Sequence, residues 1–378
     1  MVGAAGDGRT DDTAALQAAF GRLERSGGGT LHLDPGRVYR IDGWVQGIGS
    51  GITIEGHGAT ITRGPTSGGI LFASKAENNR RIPDGGERFT VRDLRIVGDY
   101  ASGKGLCVAS LHHARDIAFE RCIFEQVAGG GGHVVDAVAV DGLRFTDCEW
   151  RGRLVVGDGA LQENIQVGAS LQGTLSHNQA TGYDGIACSR VIVEGCRFLP
   201  LTVGGRTYPA PNIIGNHDKL EHGEHRDVTI RGCRVVDPHE NKGLYDTAVI
   251  KLRGIKGLTV QDCEFVSTTG ADTILIHASG RGTGIPAGGD LNAAQDWGHE
   301  VPIDPLRCQD VTISDNRITG FSLPGGRAYM EIAGAAAAPA ERVTVSGTRL
   351  TRGPGDAGDL VKTASAHVTV SGTEETRA

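Results

Sequence analysis

Two aspartates carry the clearest chemical possibility in this 378-residue chain. Asp246-Thr-Ala-Val-Ile-Lys251 and Asp272-Thr-Ile-Leu-Ile-His277 follow one pattern 26 residues apart. If the two segments are neighbouring parallel strands, their like positions lie about 4.8 Å apart. Asp246 and Asp272 would then form a carboxylate pair. Pairs about 5–5.5 Å apart serve retaining glycosidases, and pairs about 6.5–9.5 Å apart serve inverting ones. Asp136-Ala-Val-Ala-Val and Asp184-Gly-Ile-Ala-Cys fit the same slot. Because aspartate is a good turn residue at a strand start, each aspartate taken singly reads first as structural. Lys251 and His277 close the two segments, one coil apart. They suit a charge stabiliser and a base in an eliminating lyase; pointing outward, they would be a plain surface pair.

Further acid, base and aromatic groups gather between residues 200 and 300. His217-Asp218-Lys-Leu-Glu-His222-Gly-Glu-His225 reads first as a solvated loop. Its spacing fits no standard metal pattern, and His217 or Asp218 remains a candidate acid or base. The short insertion Asp237-Pro-His-Glu-Asn-Lys-Gly-Leu-Tyr-Asp246 adds His239, Glu240 and Tyr245 as substrate-binding candidates, beside Asp218. Trp297 lies in the insertion from Ala278 to Asp310 and would serve as a sugar platform. Aromatic residues are only 5% of the chain, which argues against many such platforms.

What must position these groups is a repeated nine-residue phrase. Residues 117–125, 143–151, 191–199, 228–236 and 258–266 share an alternation of apolar and polar residues with cysteine at one slot. Segments 89–97, 311–319, 343–351 and 368–376 repeat it without the cysteine. In VTIRGCRVV, Val228, Ile230, Cys233 and Val235 face one way, with a bend at Arg231–Gly232 between two short strands. A unit of about 25 residues is too short for a βαβ crossover and predicts a solenoid. The interval of 48 residues from Cys148 to Cys196 suggests one hidden extra coil. The expected fold is all-β: a single-stranded right-handed parallel β-helix with three short strands per coil. The 59 glycines suit its many corners. The stacked cysteines read as buried thiols filling small interior space, since free cysteine packs as a small hydrophobe.

At the N-terminus, Gly6-Asp7-Gly8-Arg9-Thr10-Asp11-Asp12-Thr13 precedes good helix sequence, with Asp12 or Thr13 as N-cap. Leu16, Ala19, Phe20 and Leu23 make one apolar face. Residues 1–41 would cap the stack, and 42–378 would form the coils, with insertions at about 199–227 and 278–310. This N-terminal stretch resembles the signature of the pectate-lyase-3-like β-helix superfamily, and the repeats extend the resemblance over nearly the whole chain. The resemblance implies a polysaccharide substrate cleaved by hydrolysis or β-elimination. The form expected is a phage tailspike-type depolymerase, or else a secreted microbial enzyme. By analogy it implies a homotrimer and an extracellular or virion-associated setting. It also admits a carbohydrate-binding spike or adhesin without turnover. The chain opens abruptly before Gly6, as a domain cut from a longer protein would.

Composition narrows the classes further. A net charge of −7 gives no basic footprint for nucleic acid. No apolar run approaches the roughly 18 residues of a membrane span, and no signal peptide is visible. No cofactor is expected, and nothing in the sequence supports a divalent cation such as calcium. Asp237-Pro238-His239-Glu240 resembles the Asp-Pro-His of alginate epimerases, another β-helix family. The tyrosine-containing context of that motif is missing, so the match is taken as coincidence. Gly56-His57-Gly58 resembles a polygalacturonase motif but falls in the N-terminal coils, where it reads as a corner.

Overall fold

The structure is a computed structural model. Its description covers residues 3–45, 48–64, 70–75, 77–100, 106–127, 133–155, 163–171, 181–216, 224–241, 248–283, 302–333, 339–363 and 367–377, with backbone only at 281–283 and 302–306. Among these, strands form three parallel sheets of 12, 11 and 9 members, here sheets A, B and C, plus two small antiparallel pairs. The chain visits them in turn. A sheet B strand such as His225–Arg231 leads to a sheet A strand, Arg234–Val236, and then to a sheet C strand, Ile250–Arg253. The expected right-handed parallel β-helix is what the chain forms.

The nine-residue phrase is the B strand, a bend and the A strand. The bend needs a left-handed residue, supplied by Asp93, Arg121, Asp147, Gly195, Gly232, Asp262, Asp315 and Gly347, all with φ between 50° and 64°. Glycine and aspartate tolerate that region well, and they hold seven of these eight positions, Arg121 being the exception. No extra coil is hidden between Cys148 and Cys196. Trp150 pairs directly with Phe198, and Phe145 with Val193, so the long interval is one coil lengthened at its corners.

The interior is built from columns. In sheet A, Phe124, Trp150 and Phe198 stack, with ring centroids 4.9 and 4.7 Å apart. Each is buried, and burying a side chain of this size is worth roughly 1.5–3 kcal/mol. The cysteine column is buried too, and all eight cysteines are free thiols. Each stacked thiol points at a carbonyl of the preceding coil: Cys148 Sγ lies 3.3 Å from Phe119 O, and Cys233 Sγ 3.4 Å from Val193 O. Where asparagine takes the slot, Asn316 accepts from Cys263 N–H and donates to Val260 O, replacing a weak bond with two strong ones.

The helix Thr13–Arg25 covers the first coils. Leu16, Ala19 and Phe20 are buried, Leu23 packs beside them, and Phe20 meets Phe72 and Phe89 at 6.2 and 6.1 Å. Asp12 holds the N-cap position, but its carboxylate turns back to accept from the N–H groups of Ala5 and Gly6.

One inward residue is out of character. His225, in register with Ile255 and through it with Cys308, is fully buried, with neither ring nitrogen hydrogen-bonded. Burial pushes its imidazole down to about 4. The unfolded chain takes up this proton near pH 6.5 and the folded chain only near pH 4. Stability is therefore lost as pH falls through that window, by on the order of 3 kcal/mol from this group. Denaturant unfolding at pH 7 and pH 4 checks it: His225→Leu should lose about that much less stability between the two than the parent.

Candidate functional site

The outward face of sheet C carries a column of polar residues. Asp136 pairs with Gln166, Gln166 with Gly215, Gly215 with Lys251, Lys251 with His277, and His277 with Glu331. Their neighbours Ile165, Val167, Ile250, Leu252, Ile276 and Ala278 turn the other way, into the core. The 26-residue offset between the Lys251 and His277 segments holds. The aspartate ladder does not. Asp136 sits in register with Lys251, five positions away from the slot of Asp272, and Asp184 lies outside any strand. Asp246 lies outside the described residues, as do His217, Asp218, Tyr245 and Trp297.

Lys251 and His277 are not a solvent-facing pair. Lys251 is 1% exposed and His277 7%. The Lys251 ammonium donates to Glu163 Oε1 at 2.7 Å, and the Glu163 side chain is wholly buried. Gly215 makes this contact possible. A Cβ there would stand 2.5 Å from Glu163 Cγ, so only glycine lets Glu163 cross the intervening strand. His133 Nδ1 donates to Glu163 O at 3.0 Å and lies 3.6 Å from Glu163 Oε2. Arg153 is buried nearby; burial pulls its guanidinium down to about 10, against the opposing pull of Glu163 and Tyr100.

The corner from sheet A to sheet C leads into this column. Arg153 N–H donates to Pro209 O, Ala210 bridges Pro238, and Asp237 N–H reaches Val266 O, so consecutive coils align here. Asp237 has φ 48° and accepts from Thr268 N–H and Oγ1 at 2.6 and 2.8 Å. Thr273 Oγ1 donates to His239 O, and Asp272 N–H to Glu240 Oε1. Asn241 then pins the segment to Ile274 through both ends of its amide. Asp272 Oδ2 accepts from Arg327 Nη1 at 2.6 Å. Part of the 199–227 insertion is a hairpin, Leu201–Val203 with Arg206–Tyr208, whose Tyr208 packs 4.5 Å from Tyr100 and beneath the Arg206 guanidinium.

The structure thus brings together Lys251 and His277 on one column of sheet C and, separately, His239, Glu240 and Asp272 at the corner that leads into sheet C. Sequence reasoning missed Glu163, His133, Arg153, Gln166 and Arg327. For Gln166 the signal available was a polar residue at every second position of an otherwise apolar sheet C segment, Asn164-Ile-Gln166-Val.

Two other clusters compete. A groove of about 530 Å³ runs along sheet B, lined by Arg88, Asp116, Arg144, Arg190, Asp227 and Thr229. Its charges are largely matched: Arg190 binds both Asp141 and Asp116. At the corner from sheet C to sheet B, His113 Nδ1 meets Asn79 Oδ1, while its Nε2 lies 3.1 Å from Asp184 Oδ1 and 2.9 Å from Ser170 Oγ. A nucleophilic triad needs acid and serine on opposite ring nitrogens. Here both share one, and the cluster acts as a clamp between coils.

No family model matches the chain. It is 26% identical over 280 residues to mannuronan C5-epimerase AlgE5 of Azotobacter vinelandii, covering 63% of this chain and 25% of that protein. It is 43% identical over 53 residues to alginate lyase 7 of the same organism, 14% of this chain and 6% of that one. The chain therefore spans about a quarter or less of these relatives. Among solved structures, the Streptococcus pneumoniae surface protein and adhesin PfbA superposes with TM-score 0.64 at 14% identity, over 99% of this chain and 96% of that one. The tailspike of E. coli bacteriophage HK620, solved with a pentasaccharide, gives 0.54 at 14%, over 98% and 60%. The fold the chain shares with these structures is the right-handed parallel β-helix. Among the described residues no helix is long and apolar enough to cross a membrane.

Removing one partner of the Lys251–Glu163 ion pair leaves a buried charge uncompensated. Lys251→Met should cost about 3–5 kcal/mol, and Lys251→Met with Glu163→Gln should recover most of it. Gly215→Ala should destabilise in the same direction by displacing Glu163. Denaturant midpoints of the variants check all three.

Proposed function

We propose that the outward face of sheet C and its corner with sheet A bind an acidic polysaccharide of uronate units and remove the proton next to the uronate carboxylate. The observation that carries this reading is Asp237-Pro238-His239-Glu240, held by hydrogen bonds at the corner beside the buried polar column of sheet C, in a chain similar over 280 residues to a mannuronan C5-epimerase.

A base takes the C5 proton, and the electron pair spreads into the carboxyl group, where a cationic donor stabilises it. The proton can return from the opposite face, which is epimerisation. Otherwise the electron pair expels the C4 oxygen, which leaves with a proton from an acid, and a C4–C5 double bond forms. His239 is the proposed base or acid, Arg327 the carboxylate partner, and Asp272 the group that orients Arg327. Lys251 and His277 shape the sheet C face. Assembly as a homotrimer and an extracellular or virion setting belong to the same proposal by analogy, and light scattering reads the first.

A second reading, binding without turnover, is favoured by one observation: the Lys251 ammonium is buried against Glu163, out of reach of a sugar. Incubation with alginate and other polyuronates, following near-ultraviolet absorbance and new reducing ends, separates the readings. Absorbance rising with reducing ends means elimination; C5 inversion seen by NMR, with neither signal, means epimerisation. His239→Gln should lower either by about 10²–10⁴-fold while binding persists. Reducing ends alone would mean hydrolysis, and binding without any change in the polymer would establish the non-catalytic reading.

A further inference from the structure

On the outer face of sheet B, away from the sheet C column, two exposed histidines face each other. His32 ends the strand Gly29–His32, and His57 sits in the turn after the strand Ile52–Glu55, one coil on. His32 Nδ1 lies 3.0 Å from His57 Nε2, with the rings 10° from parallel. A hydrogen bond between two exposed neutral rings gains little against the freedom both give up.

Both backbones are held in place. Leu33 N–H bonds Glu55 O, and the turn around His57 is tied at Gly56 N–H to Arg92 O and at Gly58 N–H to Asp93 O. His57 itself is left-handed, at φ 50°. Glu55, in register with His32, binds Arg92. Asp93, beside the His57 turn, binds Arg121, and the same histidine helps hold the Asp93 carboxyl below its usual range, after the larger effect of Arg121.

We propose that His32 and His57 form a two-imidazole site for a divalent transition cation of the zinc, nickel and copper class. Metal–nitrogen bonds of about 2.0–2.1 Å at tetrahedral or right angles put two ring nitrogens roughly 2.9–3.4 Å apart. Imidazole selects that class of metal over calcium or magnesium. Among the described residues no group of three or more ligand side chains gathers, so water completes the shell. The cation takes the place of the shared proton and cross-links the first two coils beneath the capping helix.

Isothermal titration of zinc chloride into the full chain tests this. His32→Thr suits a strand, and His57→Asn tolerates the left-handed turn. Losing an outer-sphere partner alone costs a metal site about 10–100-fold, so each variant should bind at least about tenfold more weakly. Affinity should also fall in acid, because only neutral imidazole ligates. No heat from the parent chain, or an unchanged titration in both variants, overturns the site. Should either variant misfold, the electron paramagnetic resonance spectrum of the copper-loaded parent decides: two nitrogen ligands support the site, and fewer contradict it.

Discussion

Parallel stacking in constant register governs this molecule. Each coil lies about 4.8 Å from the next, so every coil position becomes a column running the length of the sheet. A residue must therefore suit the residues above and below it more than its neighbours in sequence. Inward columns solve this with aromatic rings or thiols. Outward columns on sheet B alternate charge, as where Arg92 binds both Glu55 and Glu120. Insertions are tolerated only where they leave the register intact, at corners.

The outward column of sheet C obeys a different rule. Asp136, Gln166, Lys251, His277 and Glu331 are buried although they point away from the core. Burying such groups is costly, and an apolar column would serve stability as well. The ion pair of Glu163 and Lys251 spans two coils through the space left at Gly215, so its geometry depends on three strands at once. At the corner leading into sheet C, the segment from Asp237 to Asn241 is pinned to the following coil. That row of buried polar groups, more than any single residue, is what distinguishes this face from the balanced ladders of sheet B.

The architecture was legible because the cysteine slot marks B and A strands unambiguously, and buried thiols repeat where little else fits. The capping helix was legible from its apolar face. Sheet C was harder. Its strands share no marker residue, so Asp136 was matched to Asp272 by residue type when the apolar alternation places it beside Lys251. The extra coil between Cys148 and Cys196 was a misreading of corner length as coil count. Glu163 could not be found from sequence, because its partner is 88 residues away and the link runs through an absent side chain at Gly215. Of the predicted site, Lys251 and His277 share one column of sheet C, and His239, Glu240 and Asp272 meet at the adjoining corner.

The central claim is where the sugar lies. A crystal structure of the full chain with a short oligouronate tests it most directly. The account predicts the oligosaccharide over the outward face of sheet C, with a uronate carboxylate against Arg327 and a sugar ring beside His239. An oligosaccharide lying instead in the sheet B groove, against Arg88, Arg144 and Arg190, would contradict it.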